Sequence, residues 1–147
     1  MFRPLHRGFC GVASPYGFVR VAFTPSFSSP APLVLRAAVF DTPTGRAFLD
    51  SCPHAGVSLS AYGAEVYGPL RLALPQHRPQ PRIPPGGLAF SEQGQFLCVF
   101  FGQDPAWPVD YIGQIEGDSW EALREEGTRG GSAGWSSLSV TADTSSE

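Results

Sequence analysis

The 147-residue chain contains no lysine, no asparagine and only three isoleucines. All ten basic side chains are therefore arginines, permanently charged, and chemistry that needs a lysine amine as Schiff-base former or general base is excluded. The missing residue types share A/T-rich codons, which points to a GC-rich genome. Cysteine is sparse as well: Cys10, Cys52 and Cys98 stand far apart with no C-x-x-C pair, the wrong pattern for a zinc knuckle, a thioredoxin-type site or a disulfide framework. A reducing, cytoplasmic setting is the expectation. No apolar run approaches the roughly 20 residues needed to span a bilayer, so no membrane partner is expected. With a formal charge of −3 there is no excess of cations to neutralise phosphates, and nucleic acid is not an expected partner either.

What is present is 42% hydrophobic residues, 11 phenylalanines, 17 glycines and 15 prolines, the composition of one compact, turn-rich domain. Residues 1–32 differ from the rest: their only charges are Arg3, Arg7 and Arg20, and the first acid is Asp41. They read as an appended, weakly ordered segment, with a strand from Phe18 to Phe23 as the alternative and a targeting signal as a third reading that Pro4, Pro15 and Pro25 oppose. The domain proper is expected over 33–141, followed by a polar tail over 142–147.

Within that domain the signals are those of strands. Leu33–Phe40 is an apolar run of strand length. Asp41 or Thr42 caps a short helix with Pro43 in its first turn and Pro53 beyond its end. Val57–Tyr62 alternates with period two, Glu65–Tyr67 and Leu70–Leu74 read as strands, and residues 75–85 form a Pro-rich connection. Leu88–Phe90 and Phe96–Phe101 flank a hairpin turn at Ser91–Gly94, and the second of these runs is apolar enough to require cover on both faces. Val109–Ile115 supplies another strand, a second helix starts at Asp118, and Trp135–Val140 supplies the last strand. Many strands, two short helices and no βαβ rhythm predict a mainly β fold, a closed antiparallel barrel capped by the helices.

Five segments in order carry a family resemblance: Asp41-Thr-Pro43 entering a helix with Arg46-Ala47, Tyr62-Gly-Ala-Glu-Val-Tyr67, Gly87-Leu-Ala-Phe90, Phe100-Phe-Gly-Gln-Asp-Pro105 and Tyr111-Ile-Gly-Gln-Ile115. Over Leu33–Val140 the chain resembles the small bacterial and archaeal cyclophilin-like proteins, a largely uncharacterised family with a cyclophilin-type barrel. It departs from them at Tyr62, where a Trp is usual, and at Gly68, where the family continues with an apolar residue.

In that resemblance Glu65 lies between Tyr62 and Tyr67, and a carboxylate flanked by rings suits a polar or cationic ligand in an apolar cleft. The alternative is structural, with Glu65 engaged by a backbone turn or paired with Arg46. Phe101, Gln103 and Trp107 follow the buried strand into a loop, where ligand contacts are commonly made. The ligand-binding set expected is thus Tyr62, Glu65, Tyr67, Phe101 and Gln103, facing a small molecule or peptide in a surface groove, with no metal or cofactor implied. A weak prolyl cis–trans isomerase is the alternative. True cyclophilins lower an X-Pro barrier of about 18–20 kcal/mol with an Arg beside an apolar pocket and a Phe-x-x-Gln-Gly-Gly-Asp segment. Arg82, Phe90 and Gln93-Gly94 match that set in part, before Gln95-Phe96 breaks it.

Three further motifs have structural readings. Gly130-Gly-Ser-Ala-Gly134 fits G-x-S-x-G but sits between a helix and a strand in the wrong order for a nucleophile elbow. Cys52-Pro-His54 lacks the further ligands a metal needs. Arg78-Pro-Gln-Pro-Arg-Ile-Pro84 reads as a stiff loop between barrel strands, with a polyproline ligand, whose spacing it has, as the alternative.

Overall fold

Alternation in Val19-Arg-Val-Ala-Phe23 puts three apolar side chains on one face of an extended chain, and Val19, Val21 and Phe23 are fully buried. The computed structural model describes residues 14–26, 31–72, 77–124 and 134–144. These three side chains belong to β1 (Pro15–Pro25), which pairs antiparallel with β2 (Leu33–Phe40) on one side and with β10 (Trp135–Ala142) on the other. The expected appendage over 1–32 is corrected accordingly: its described part is an integral strand, because hydrophobic period outweighs the Pro- and Arg-rich composition around it. Residues 1–13 and 27–30 lie outside the described residues. The expected polar tail also begins later than 142, since Ala142 pairs with Val19 and the carboxylate of Asp143 is held by Arg20 and Arg36, at 3.3 and 2.7 Å.

After β2 the chain enters α1 (Pro43–Asp50), where the Thr42 hydroxyl accepts from the Gly45 amide at 3.0 Å and Pro43 occupies the first turn. The remaining strands are β3 (His54–Ser58), β4 (Ser60–Ala61), β5 (Glu65–Pro69), β6 (Pro79–Gln80), β7 (Gly87–Ser91), β8 (Phe96–Phe100) and β9 (Val109–Ile115), followed by a helical turn, α2, over 121–124. All pairings are antiparallel, in the order β3-β10-β1-β2-β9-β7-β8-β5-β4, with β6 added to β9. The two end strands, β3 and β4, are separated only by Leu59, whose amide donates to the Ser136 carbonyl at 2.9 Å. One continuous stretch of chain thus joins both ends of the sheet and makes a nearly closed barrel. Gly68 sits where that stretch crosses β5: a Cβ there would fall 2.3 Å from the Ser58 carbonyl oxygen, so a side chain is excluded. The departure at Gly68 noted in the sequence is therefore a requirement of closure.

Closure gives the wall two faces. Val66, Leu88, Phe90, Leu97, Val99 and Ile112 point inward into the main core. Their neighbours Ala89, Cys98, Phe100, Val109 and Tyr111 point outward into a second apolar layer with Phe40, Ile83, Tyr67 and Phe96. The run at Phe96 is thus covered on both sides, as its composition predicts. The expected strand at Leu70–Leu74 is not formed over its described part, Leu70–Leu72, which leaves β5 as irregular chain with Leu70 and Leu72 buried. α2 closes one end: Leu123 is fully buried, and its carbonyl accepts from the Trp135 indole at 3.2 Å. Residues 125–133, where the second helix was expected to end and most of the Gly130–Gly134 motif falls, lie outside the described residues.

Candidate functional site

The second apolar layer opens into a cleft of about 280 Å³ on the outside of the barrel wall, not at its mouth. Strand register builds its floor. Glu65 stands opposite Phe100, Tyr67 opposite Cys98 and Pro69 opposite Phe96, so Glu65, Tyr67 and the three β8 side chains share one face. The segment between β8 and β9 supplies the facing wall with Pro105, Ala106 and Trp107, and Ser91 and Val109 complete the lining. Tyr67 and Phe96 meet edge to face at 5.1 Å. The Trp107 indole donates to the Ser91 hydroxyl at 2.9 Å, which anchors the wall to the β7–β8 turn.

Among the described residues Glu65 is the only acid lining this cleft, and it is 7% exposed. Its carboxyl is pushed up to about 7 by burial, an effect partly offset by a hydrogen bond from the Cys98 thiol. That thiol is itself raised well above its ordinary value, first by burial and then by the neighbouring acid. The thiol therefore stays protonated in the neutral range and does not supply a thiolate nucleophile, whereas Glu65 changes its charge near neutrality. Arg46, the expected alternative partner of Glu65, pairs instead with Asp41 beside α1.

Of the expected ligand-binding residues, Tyr62, Glu65 and Tyr67 line the cleft, Tyr62 on its exposed rim. Phe101 does not. It is buried in the main core on the other side of the wall, and Phe100 occupies the position expected of it. Gln103 does not line the cleft either: its carbonyl oxygen accepts from the Ala64 amide at 2.8 Å and its amide donates to the Tyr62 carbonyl at 2.9 Å. It clamps the turn that delivers Glu65, against Gly63 in a left-handed conformation at φ 60°. Sequence reasoning missed Ser91, Phe96, Cys98 and Phe100. The run is apolar at every position, so no sequence signal separates them; pairing with β5 is what assigns Phe96, Cys98 and Phe100 to the outer face.

The isomerase set is not assembled. Phe90 is 1% exposed and faces the barrel interior, as the alternation along β7 requires, whereas Arg82 and Gln93 are exposed on separate connections. Residues 78–84 connect barrel strands, as expected, rather than standing free as a polyproline ligand. Pro79–Gln80 pairs with β9, Ile83 is buried in the outer layer, and Asp110 accepts from the His77 and Arg78 amides, so the segment is docked on its own barrel. At Cys52-Pro-His54 the imidazole stacks on Phe48 and lies 2.9 Å from the Ser51 hydroxyl, a helix-end arrangement. No cluster of three metal-ligating side chains occurs among the described residues.

The cyclophilin-like family model matches residues 31–129, more than half of the chain. This chain belongs to the cyclophilin-like family. No curated protein matches it. Among solved structures, the hypothetical protein AF2241 from Archaeoglobus fulgidus is similar over 86% of this chain and 95% of its own, at 21% identity and a TM-score of 0.62. McbB in complex with tryptophan is similar over 88% of this chain at 15% identity and a TM-score of 0.64, and this chain spans 46% of McbB. At these identities the likeness is one of fold. Among the described residues no helix is long and apolar enough to cross a membrane.

Proposed function

We propose that the outer cleft binds a small molecule or an apolar peptide side chain, with Tyr62, Tyr67, Phe100 and Trp107 supplying ring contacts and Glu65 the single ionisable anchor. The observation that carries this reading is the placement of a buried acid in a concave, mostly apolar site whose lining includes the rings of Tyr62, Tyr67, Phe96, Phe100 and Trp107. Such sites, mostly apolar with one or two placed polar groups, are the usual form of a small-molecule pocket. A fold neighbour, McbB, was solved in complex with tryptophan, which is compatible with a small-molecule ligand here. Free Cys52 and Cys98 and the absence of lysine fit a cytoplasmic bacterial protein. Catalysis is not part of the proposal.

The test is a thermal-shift screen of metabolites and short apolar peptides against the wild type and Trp107→Ala. A ligand that binds only the native state raises the melting temperature with its concentration. The expected result is a compound whose shift is lost in Trp107→Ala. A shift that persists undiminished in that variant, or a screen in which nothing shifts the wild type, overturns the reading.

A further inference from the structure

The cleft offers an acid and, among the described lining residues, no cation to balance it. Among its lining residues the titratable groups are Glu65, Tyr62, Tyr67 and Cys98, and there is no arginine or histidine. Glu92 follows Ser91 on the adjacent turn and Asp104 precedes Pro105 on the facing wall, so the nearest formal charges in sequence to the lining are also acidic. A carboxyl 7% exposed, facing a cavity and met there only by an S–H donor, lacks the counter-ion that buried charges normally have. The rings around it present electron-rich faces, which attract cations as well as apolar bodies.

Resting on the reading of the cleft as a binding site, we propose that its ligand is a protonated organic amine on an aromatic or apolar body, without a carboxylate, with Glu65 as the counter-ion. A ligand carboxylate would be desolvated against the same acid with no cationic side chain in the lining to receive it. The cleft therefore selects simple amines over amino acids and over aromatic acids. Because Glu65 holds its proton up to about pH 7 in the free protein, binding of an ammonium below that pH releases a proton and is weaker than above it.

Calorimetric titration at pH 8 with tryptamine, 3-methylindole, tryptophan and indole-3-propionate separates the possibilities, since the four share one ring and differ in charge. Tryptamine is expected to bind about tenfold or more tighter than 3-methylindole, tryptophan to fall below tryptamine, and indole-3-propionate to be weakest. Glu65→Gln should bring tryptamine and 3-methylindole to similar affinity. On the wild type alone, lowering the pH from 8 to 6 should weaken tryptamine by up to about tenfold while leaving 3-methylindole unchanged, with proton release seen as a buffer-dependent heat. This second measurement does not depend on the variant folding. If the indoles bind regardless of charge, or tryptamine affinity is flat with pH, the amine proposal is overturned and the cleft stands. If none of the four binds the wild type, this proposal and its use of the cleft both fall.

Discussion

Two buried carboxylates stand on strands of the same barrel wall, Glu65 at 7% exposure and Asp110 at 4%, and each borders a cavity of similar size, about 280 and 260 Å³. Their surroundings differ. Asp110 accepts from the Thr44 hydroxyl at 3.0 Å, the His77 amide at 3.1 Å and the Arg78 amide at 3.0 Å, tying α1 and the β6 segment to β9. Glu65 has a thiol. A carboxylate surrounded by main-chain and hydroxyl donors is satisfied as an anion and holds elements together, whereas one left with a single weak donor in an apolar cleft retains capacity for an incoming group. Burial alone does not distinguish a structural acid from a ligand-binding one. The donor count does.

Removing the better-satisfied acid should have the larger effect. Asp110→Ala leaves two amides and a hydroxyl without their acceptor, and a loss of about 3 kcal/mol or more is expected in denaturant midpoint measurements. Glu65→Gln should act in the opposite direction at high pH. Between pH 4.5 and 7 the folded protein holds a proton at Glu65 that the unfolded chain releases, so wild-type stability from this group is full below 4.5 and falls as pH rises to about 7. The variant is therefore expected to gain on the order of 1–3 kcal/mol over wild type at pH 8 and little at pH 4.5, read from melts at the two pH values. Parallel stability profiles for the two proteins would erase the contrast between the acids.

Smaller effects sharpen it. Gln103→Ala frees the Ala64 amide and the Tyr62 carbonyl, and should cost about 1 kcal/mol while reducing the effect of pH on any cleft ligand, because the turn delivering Glu65 loosens. Ser91→Ala removes the acceptor of both the Trp107 indole and the Gly94 amide. It should cost about 1 kcal/mol or less and show itself as a shifted Trp107 emission, against Trp107→Phe as reference.

The strands of the barrel were legible because apolar runs and turn residues alternate along the chain, and the Tyr62–Tyr67 motif located one side of the cleft through local chemistry. The other side was not. Phe96-Leu-Cys-Val-Phe-Phe101 is apolar at every position and has no phase of its own, so Phe101 was assigned to the site that Phe100 occupies, and only pairing with β5 and β7 decides between them. Val19, Val21 and Phe23 carried a readable period that the surrounding prolines and arginines masked. Asp110 was visible as a charge in an apolar strand, but Thr44, its partner 66 residues upstream, is brought to it by tertiary structure alone. Gly68 read as a departure from its family because the chain that crosses it lies ten residues earlier.

The join at Leu59 has a dynamic consequence. The ring of strands is fastened there by a two-residue ladder, Ser60 with Tyr67 and Ala61 with Val66, immediately before the turn that presents Glu65. Opening of the barrel at this seam would move the acid and the Tyr62 rim together, so a ligand held in the proposed site is expected to slow amide hydrogen exchange at Leu59 and Tyr62, far along the chain from Trp107.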